Sequence, residues 1–127
     1  MRFTEHELTA ALTGAAKAML ATRRKDVRRG RTDIDTVWNE MSPYQRFQLL
    51  DRLGDQILPV LVALPDVQVE AGTRPTYSSA QIRDAVESRL EDRQGRMRRA
   101  VVIKARSLLV QSALDHLPPR NDPDALT

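Results

Sequence analysis

Three times in this chain a hydroxyl residue stands three positions ahead of a glutamate or glutamine at the threshold of an apolar-periodic stretch: Thr4 with Glu7, Ser42 with Gln45, and Ser78 with Gln81. In such a pair the hydroxyl accepts the backbone N–H three residues on, while the longer side chain reaches back to the N–H of the cap. Two orphan donors of a helix start are satisfied together. Phe3 with Leu8 and Tyr77 with Ile82 add an apolar staple around the first and third of these starts. Pro43 succeeds Ser42 at the first helical position, where its missing N–H is harmless. Ser79 is a second candidate cap for the last start.

Helical spacing continues beyond each cap. Leu8, Leu12, Ala15 and Met19 recur on one face, widened by Ala11, Ala16 and Leu20, and this helix is expected to reach Arg24 or Val27, with Gly30 as its terminator. Residues 33–40 read as a short helical turn carrying Val37 and Trp38, with Asp33 or Asp35 as its cap. After Ser42 the stripe Phe47, Leu50, Leu53 and Ile57 runs to Pro59, which must kink or end the helix. Residues 60–64 can continue it, and Pro65 closes it. Residues 65–77 form the main linker, within which Val67-Gln68-Val69-Glu70 alternates as a strand would.

From 79 to 117 the pattern is helical without a proline, a stretch of about 58 Å if unbroken at 1.5 Å per residue. Val86, Met97 and Leu108 are spaced by eleven, as are Leu90, Val101 and Ser112, which holds each set on one face of a straight helix. Gly95 near the middle permits a break into two helices or a close backbone crossing, and Gly14 and Gly54 stand inside the other long helices in the same manner. The expected fold is all-α, a small helical bundle of three long helices plus one short helix. The long C-terminal helix serves as its spine. Residues 1–117 make a single helical domain and residues 118–127 a flexible tail without apolar content to bury.

With 127 residues, 41% of them hydrophobic, the chain has material for one core. Cysteine is absent, which removes disulfides and thiolate chemistry and fits a reducing compartment. Glu5 and Glu7 stand where an export signal would begin its apolar stretch, and the longest apolar run, residues 57–64, is far short of the roughly 20 residues of a membrane span. A soluble, cytoplasmic protein with no membrane partner is expected.

No catalytic constellation emerges. Asp33-Ile34-Asp35-Thr36-Val37 matches a phosphatase-like DxDxV pattern, but that chemistry needs a buried parallel strand before the first aspartate, and Arg29-Gly30-Arg31-Thr32 is not one. His6 and His116 lack companions at ligand spacing. Ser42 and Ser107 lack a histidine partner and an elbow turn, and no glycine-rich phosphate loop exists. No catalytic, cofactor or metal residue is therefore assigned, and neither an enzymatic activity nor a small-molecule substrate is expected.

Binding remains. Residues 1–31 carry eight cations to three acids, residues 32–77 three to seven, and residues 78–117 eight to five, so the chain is electrically polarised. The densest part is Arg23, Arg24, Lys25, Arg28, Arg29 and Arg31, six cations with only Asp26 among them in nine residues. On a helix Arg24, Arg28 and Arg31 would share a face. So would Arg89, Arg93 and Arg96, with Arg99 at the margin. Two such faces suit an anionic partner, either nucleic acid or an acidic protein surface. Acids mixed into the second group, Glu87, Glu91 and Asp92, would let it pair with itself instead. No aromatic lies within either group, so stacking on single-stranded bases is not indicated. After Ala100 apolar residues wrap the whole helix, which predicts a homodimer contact through Val102, Leu109 and Ala113 and, as the alternative function, a self-assembling scaffold.

Overall fold

All three capping boxes form. Thr4 Oγ1 accepts the Glu7 N–H at 3.1 Å while Glu7 Oε1 accepts the Thr4 N–H at 2.9 Å. The pairs Ser42 with Gln45 and Ser78 with Gln81 repeat the exchange at 2.9 to 3.1 Å. The computed structural model describes residues 1–90 and 95–120, and among these it holds six helices. They are α1 (Glu5–Arg23), α2 (Lys25–Arg28), α3 (Ile34–Glu40), α4 (Pro43–Ala63), α5 (Ser79–Ser88) and α6 (Arg96–Asp115). The fold is all-α, with α1, α4 and α6 as the long helices.

At two points where the sequence left alternatives open, the local backbone decides between them. The first helix stops at Arg23 because Arg24 takes an extended conformation, and α2 starts again from it. The long C-terminal stretch is two helices: Arg89 ends α5, and Gly95, in extended conformation, is the cap of α6. The eleven-residue seam is cut at this break. Val86 is fully buried on α5, whereas Met97 and Leu108 stand out from α6. Conversely, α4 runs through Pro59 to Ala63. Pro59 and Asp55, whose carbonyl loses its donor there, are both on the exposed side, where water can take the donor's place. Leu64 then turns extended, as the residue before Pro65 must.

α6 is the spine. It packs against α1, α4 and α5, while α3 leans on α1. The core joins Leu53, Ile57 and Leu61 of α4 to Val110, Ala113 and Leu114 of α6, with Ile82 and Val86 of α5 on one side and Ala11, Ala15 and Ala16 of α1 on the other. The α1 face is built of small residues and lies close to its neighbour. Gly14 sits against the ring of His116, with no room for a Cβ. The His116 Nδ1 lies 2.7 Å from the Ser112 carbonyl, an oxygen that only accepts, so Nδ1 carries the proton. Gly54 makes only ordinary contacts, and Gly95 faces open space.

The linker is not a strand. Val69 is buried and Val67 partly so while Gln68 and Glu70 are exposed, so the alternation records burial without a ladder. Among the described residues the only sheet-like pairing is a single antiparallel bridge between Thr73 and Arg120. The Arg120 N–H donates to Thr73 O at 2.7 Å and Arg120 O accepts from the Gly72 N–H at 2.6 Å, with Gly72 at φ 82°. The Arg120 guanidinium then reaches Glu7, donating from Nε to Oε2 at 2.7 Å and from Nη2 to Oε1 at 3.2 Å, and from Nη2 also to the Arg2 carbonyl at 2.9 Å. It lies 5.7 Å from the centroid of the Phe3 ring. Residues 118–120 thus belong to the folded body, contrary to the tail expected from 118 onward; residues 121–127 of that tail lie outside the described residues. Tyr77 completes the closure by donating to the Pro65 carbonyl at 2.9 Å. Burial, with Asp66 nearby, pushes its phenol up to about 12.

Candidate anion-binding surface

Asp26 organises the segment after α1. Its carboxylate accepts Arg24 Nε at 3.1 Å and Nη2 at 2.9 Å, and also the Val27 N–H at 3.0 Å. The Asp26 carbonyl accepts the N–H groups of Arg31 at 2.8 Å and Thr32 at 3.2 Å, and Gly30 supplies the left-handed turn at φ 73°. The Arg24 bond, above all, holds the Asp26 carboxyl down at about 2, and the same bond raises Arg24. One acid therefore fixes one arginine and the backbone of the turn.

Arg23, Lys25, Arg28, Arg29 and Arg31 are exposed, and among the described residues none of the five is in an ion pair. The shared helical face expected for Arg24, Arg28 and Arg31 does not exist. Arg24 precedes α2, and Arg31 lies beyond the Gly30 turn. The cations instead decorate a short helix and a tight turn pinned by Asp26. Repulsion among them goes uncompensated until a polyanion or bulk salt arrives.

The second arginine group is dispersed. Arg89 closes α5 and Arg96 opens α6, both exposed, on opposite sides of the break, so the common face predicted for a continuous helix is lost. Arg93 lies outside the described residues. Arg99 is half buried with its Nη1 enclosed, so it does not present a free guanidinium face. The predicted dimer residues also fare unevenly. Ala113 is 0% exposed and part of the core, Leu109 packs against that core, and Val102 is half buried. The large apolar side chains that α6 does expose are Met97, Val101 and Leu108. With apolar residues all round the helix, the pattern could not say which side its neighbours would cover.

The DxDxV residues have ordinary structural places. Asp33 is the backbone cap of α3, and Asp35 pairs with Lys17 of α1 at 2.9 Å. His116 and this pair border a depression of about 450 Å³ between α1 and α3. Among the described residues no group of three histidine or acidic side chains gathers at metal-binding distance, and no helix is long and apolar enough to cross a membrane. Sequence reasoning missed the Glu7–Arg120 pair, whose members are 113 residues apart. It placed Glu7 in its cap, but no local signal linked it to Arg120. Compared with protein-family models, with curated proteins and with solved structures, the chain matches none of them.

Proposed function

We propose that this chain is a cytoplasmic, non-enzymatic adaptor or regulatory module that binds the phosphate backbone of nucleic acid through the arginine segment closing α1. The observation that carries the reading is the state of the five exposed cations: they crowd into nine residues, make no ion pair among the described residues, and sit on a turn ordered by Asp26. An acidic protein surface would satisfy the same charge. Nucleic acid is favoured because the cations point from a helix and a turn instead of one flat face, which suits closely spaced phosphates. Retention on duplex and single-stranded nucleic acid across a salt series tests this. Binding should weaken steeply with salt, and replacing Lys25, Arg28, Arg29 and Arg31 by glutamine should lower it and make the salt slope shallower by about one unit per lost contact. No retention even at low salt would remove the reading.

A second reading, self-association through α6, has its own support in the exposed Met97, Val101 and Leu108. These replace Val102, Leu109 and Ala113 as the residues to substitute. Association driven by apolar contact persists at salt concentrations that abolish phosphate binding.

A further inference from the structure

α6 and α4 carry outward stripes of the same spacing and opposite charge. On α6, Met97, Val101, Lys104 and Leu108 fall within about 60° of arc at 100° per residue, all exposed, with Met97 85% and Leu108 65% open to solvent. Beside this stripe a groove of about 600 Å³ runs between α5 and α6, floored by Ile82 and Ile103, walled by Ala100 and Leu108, and bearing Arg83 and Lys104, with Glu87 as its one acid. The Ser107 Oγ lies enclosed at the groove without a hydrogen-bond partner among the described residues. α6 itself carries five cations and, in its last position, a single acid, Asp115.

On α4, Tyr44, Gln48, Asp51 and Asp55 repeat that spacing within the same arc, and Val62 prolongs the line. All are exposed, with Tyr44 68% and its neighbour Phe47 64% open. Of the two arginines of α4, Arg46 turns in to the Trp38 carbonyl at 3.3 Å, and Arg52 stands off the stripe by about a quarter turn. The result is an aromatic and acidic ridge, matched in length and charge to the apolar and basic groove.

We propose that the α4 ridge of one copy docks into the α5–α6 groove of a second copy, with Asp51 and Asp55 meeting Arg83 and Lys104 and the aromatic rings covering the Met97–Leu108 stripe. The proposal rests on the self-association reading and names its counterpart surface. Because ridge and groove are unlike surfaces, two copies either fill each other's grooves about a two-fold axis and close at two, or dock one way only and extend into a ring or an open chain.

Mass in solution, measured over a concentration series for wild type and two surface variants, tests it. Wild-type mass should rise with concentration to that of a dimer or beyond. Asp51→Lys with Asp55→Lys blocks the ridge, and Val101→Lys with Leu108→Lys blocks the groove. Each variant alone should be monomeric with wild-type helical content, its association weakened about a hundredfold or more. Mixed together, they should form a one-to-one pair and go no further, since only one intact ridge and one intact groove remain between them. Should the lysine ridge variant lose helical content, Asp51→Asn with Asp55→Asn carries the same test with a smaller weakening. A lysine ridge variant that assembles as well as wild type overturns the α4 assignment while leaving self-association standing. Wild type that stays monomeric at millimolar concentration overturns both, and binding of a synthetic acidic amphipathic peptide to that monomer would assign the groove to another protein.

Discussion

Arg120 and the arginines of residues 23–31 carry the same guanidinium to opposite ends. Arg120 is nine-tenths buried, bonded to Glu7 and to the Arg2 carbonyl, and its backbone closes the bridge with Thr73. Arg28, Arg29 and Arg31 are exposed and make no ion pair among the described residues. The difference is made by the neighbours. A buried carboxylate turns an arginine into part of the fold, whereas a run of cations with one acid leaves most of them available to a partner. The count of arginines says nothing about which will happen.

Breaking the buried side should have the largest effect. Arg120→Met leaves Glu7 as a buried carboxylate without its counterion, and the loss in unfolding free energy should be about 3–5 kcal/mol by denaturant titration. The double variant with Glu7→Gln should recover most of that, because the orphaned charge is gone although the bridge geometry is not. Equal loss in single and double variants would mean that Arg120 acts through its backbone bridge and its packing on Phe3, and the contrast with the exposed arginines would lose its electrostatic basis.

Gly14→Ala comes next. A methyl group there overlaps the Cβ and Cγ of His116, so α1 and the end of α6 must move apart, at about 1–3 kcal/mol. Gly54→Ala should go the other way. Its nearest neighbours, Leu58 Cδ1 at 3.6 Å and Leu12 Cδ1 at 3.8 Å, leave room, and alanine gains up to about 1 kcal/mol over glycine in a helix interior. Thermal melts of the two variants should therefore shift in opposite directions. Both glycines looked alike in the sequence, each alone inside a long helix.

That pair marks where the sequence stops being informative. Helix starts were legible because a capping box is a local exchange between residues three apart, and Thr4, Ser42 and Ser78 each made it. The end of α1 near Arg24 and the break at Gly95 were each one of two alternatives in the sequence, and helical spacing, which continues through both without a proline, could not choose between them. The exposed cations of residues 23–31 could be named from their density alone. Their geometry could not, because Asp26 and Gly30 fold the segment into a turn that helical spacing does not foresee. Arg120 was out of reach altogether. Its partner is set by tertiary packing across nearly the whole chain.

Acid should separate the two regions by a smaller effect. The Glu7 carboxyl is held below its ordinary 4.5: burial works to raise it, but the Arg120 bond and the Thr4 N–H outweigh that. A depressed carboxylate stabilises the fold above its unfolded value, and the contribution is lost as pH falls through the folded value. Stability should thus begin to drop below about pH 4.5, and in Arg120→Met this part of the decline should disappear. Asp26 adds a later decline between 3.8 and about 2, weaker because water screens its pair with Arg24, and Asp26→Asn should remove only that portion. Stability measured against pH in the three proteins separates the two contributions.

The smallest change in stability belongs to the residues with the largest proposed role in binding. The side chains of Arg28, Arg29 and Arg31 are exposed and make no ion pair among the described residues, so replacing all three by glutamine should alter unfolding free energy by no more than about 0.5 kcal/mol. Relief of repulsion among neighbouring cations works in the stabilising direction, and adding salt to the wild type should mimic it. A loss of about 2 kcal/mol or more, on the scale of a broken buried contact, would show that these side chains serve the body as Arg120 does. In that event the exposed segment would be structural, and nucleic-acid binding would have to be sought elsewhere on the surface, beginning with Arg89 and Arg96 at the break between α5 and α6.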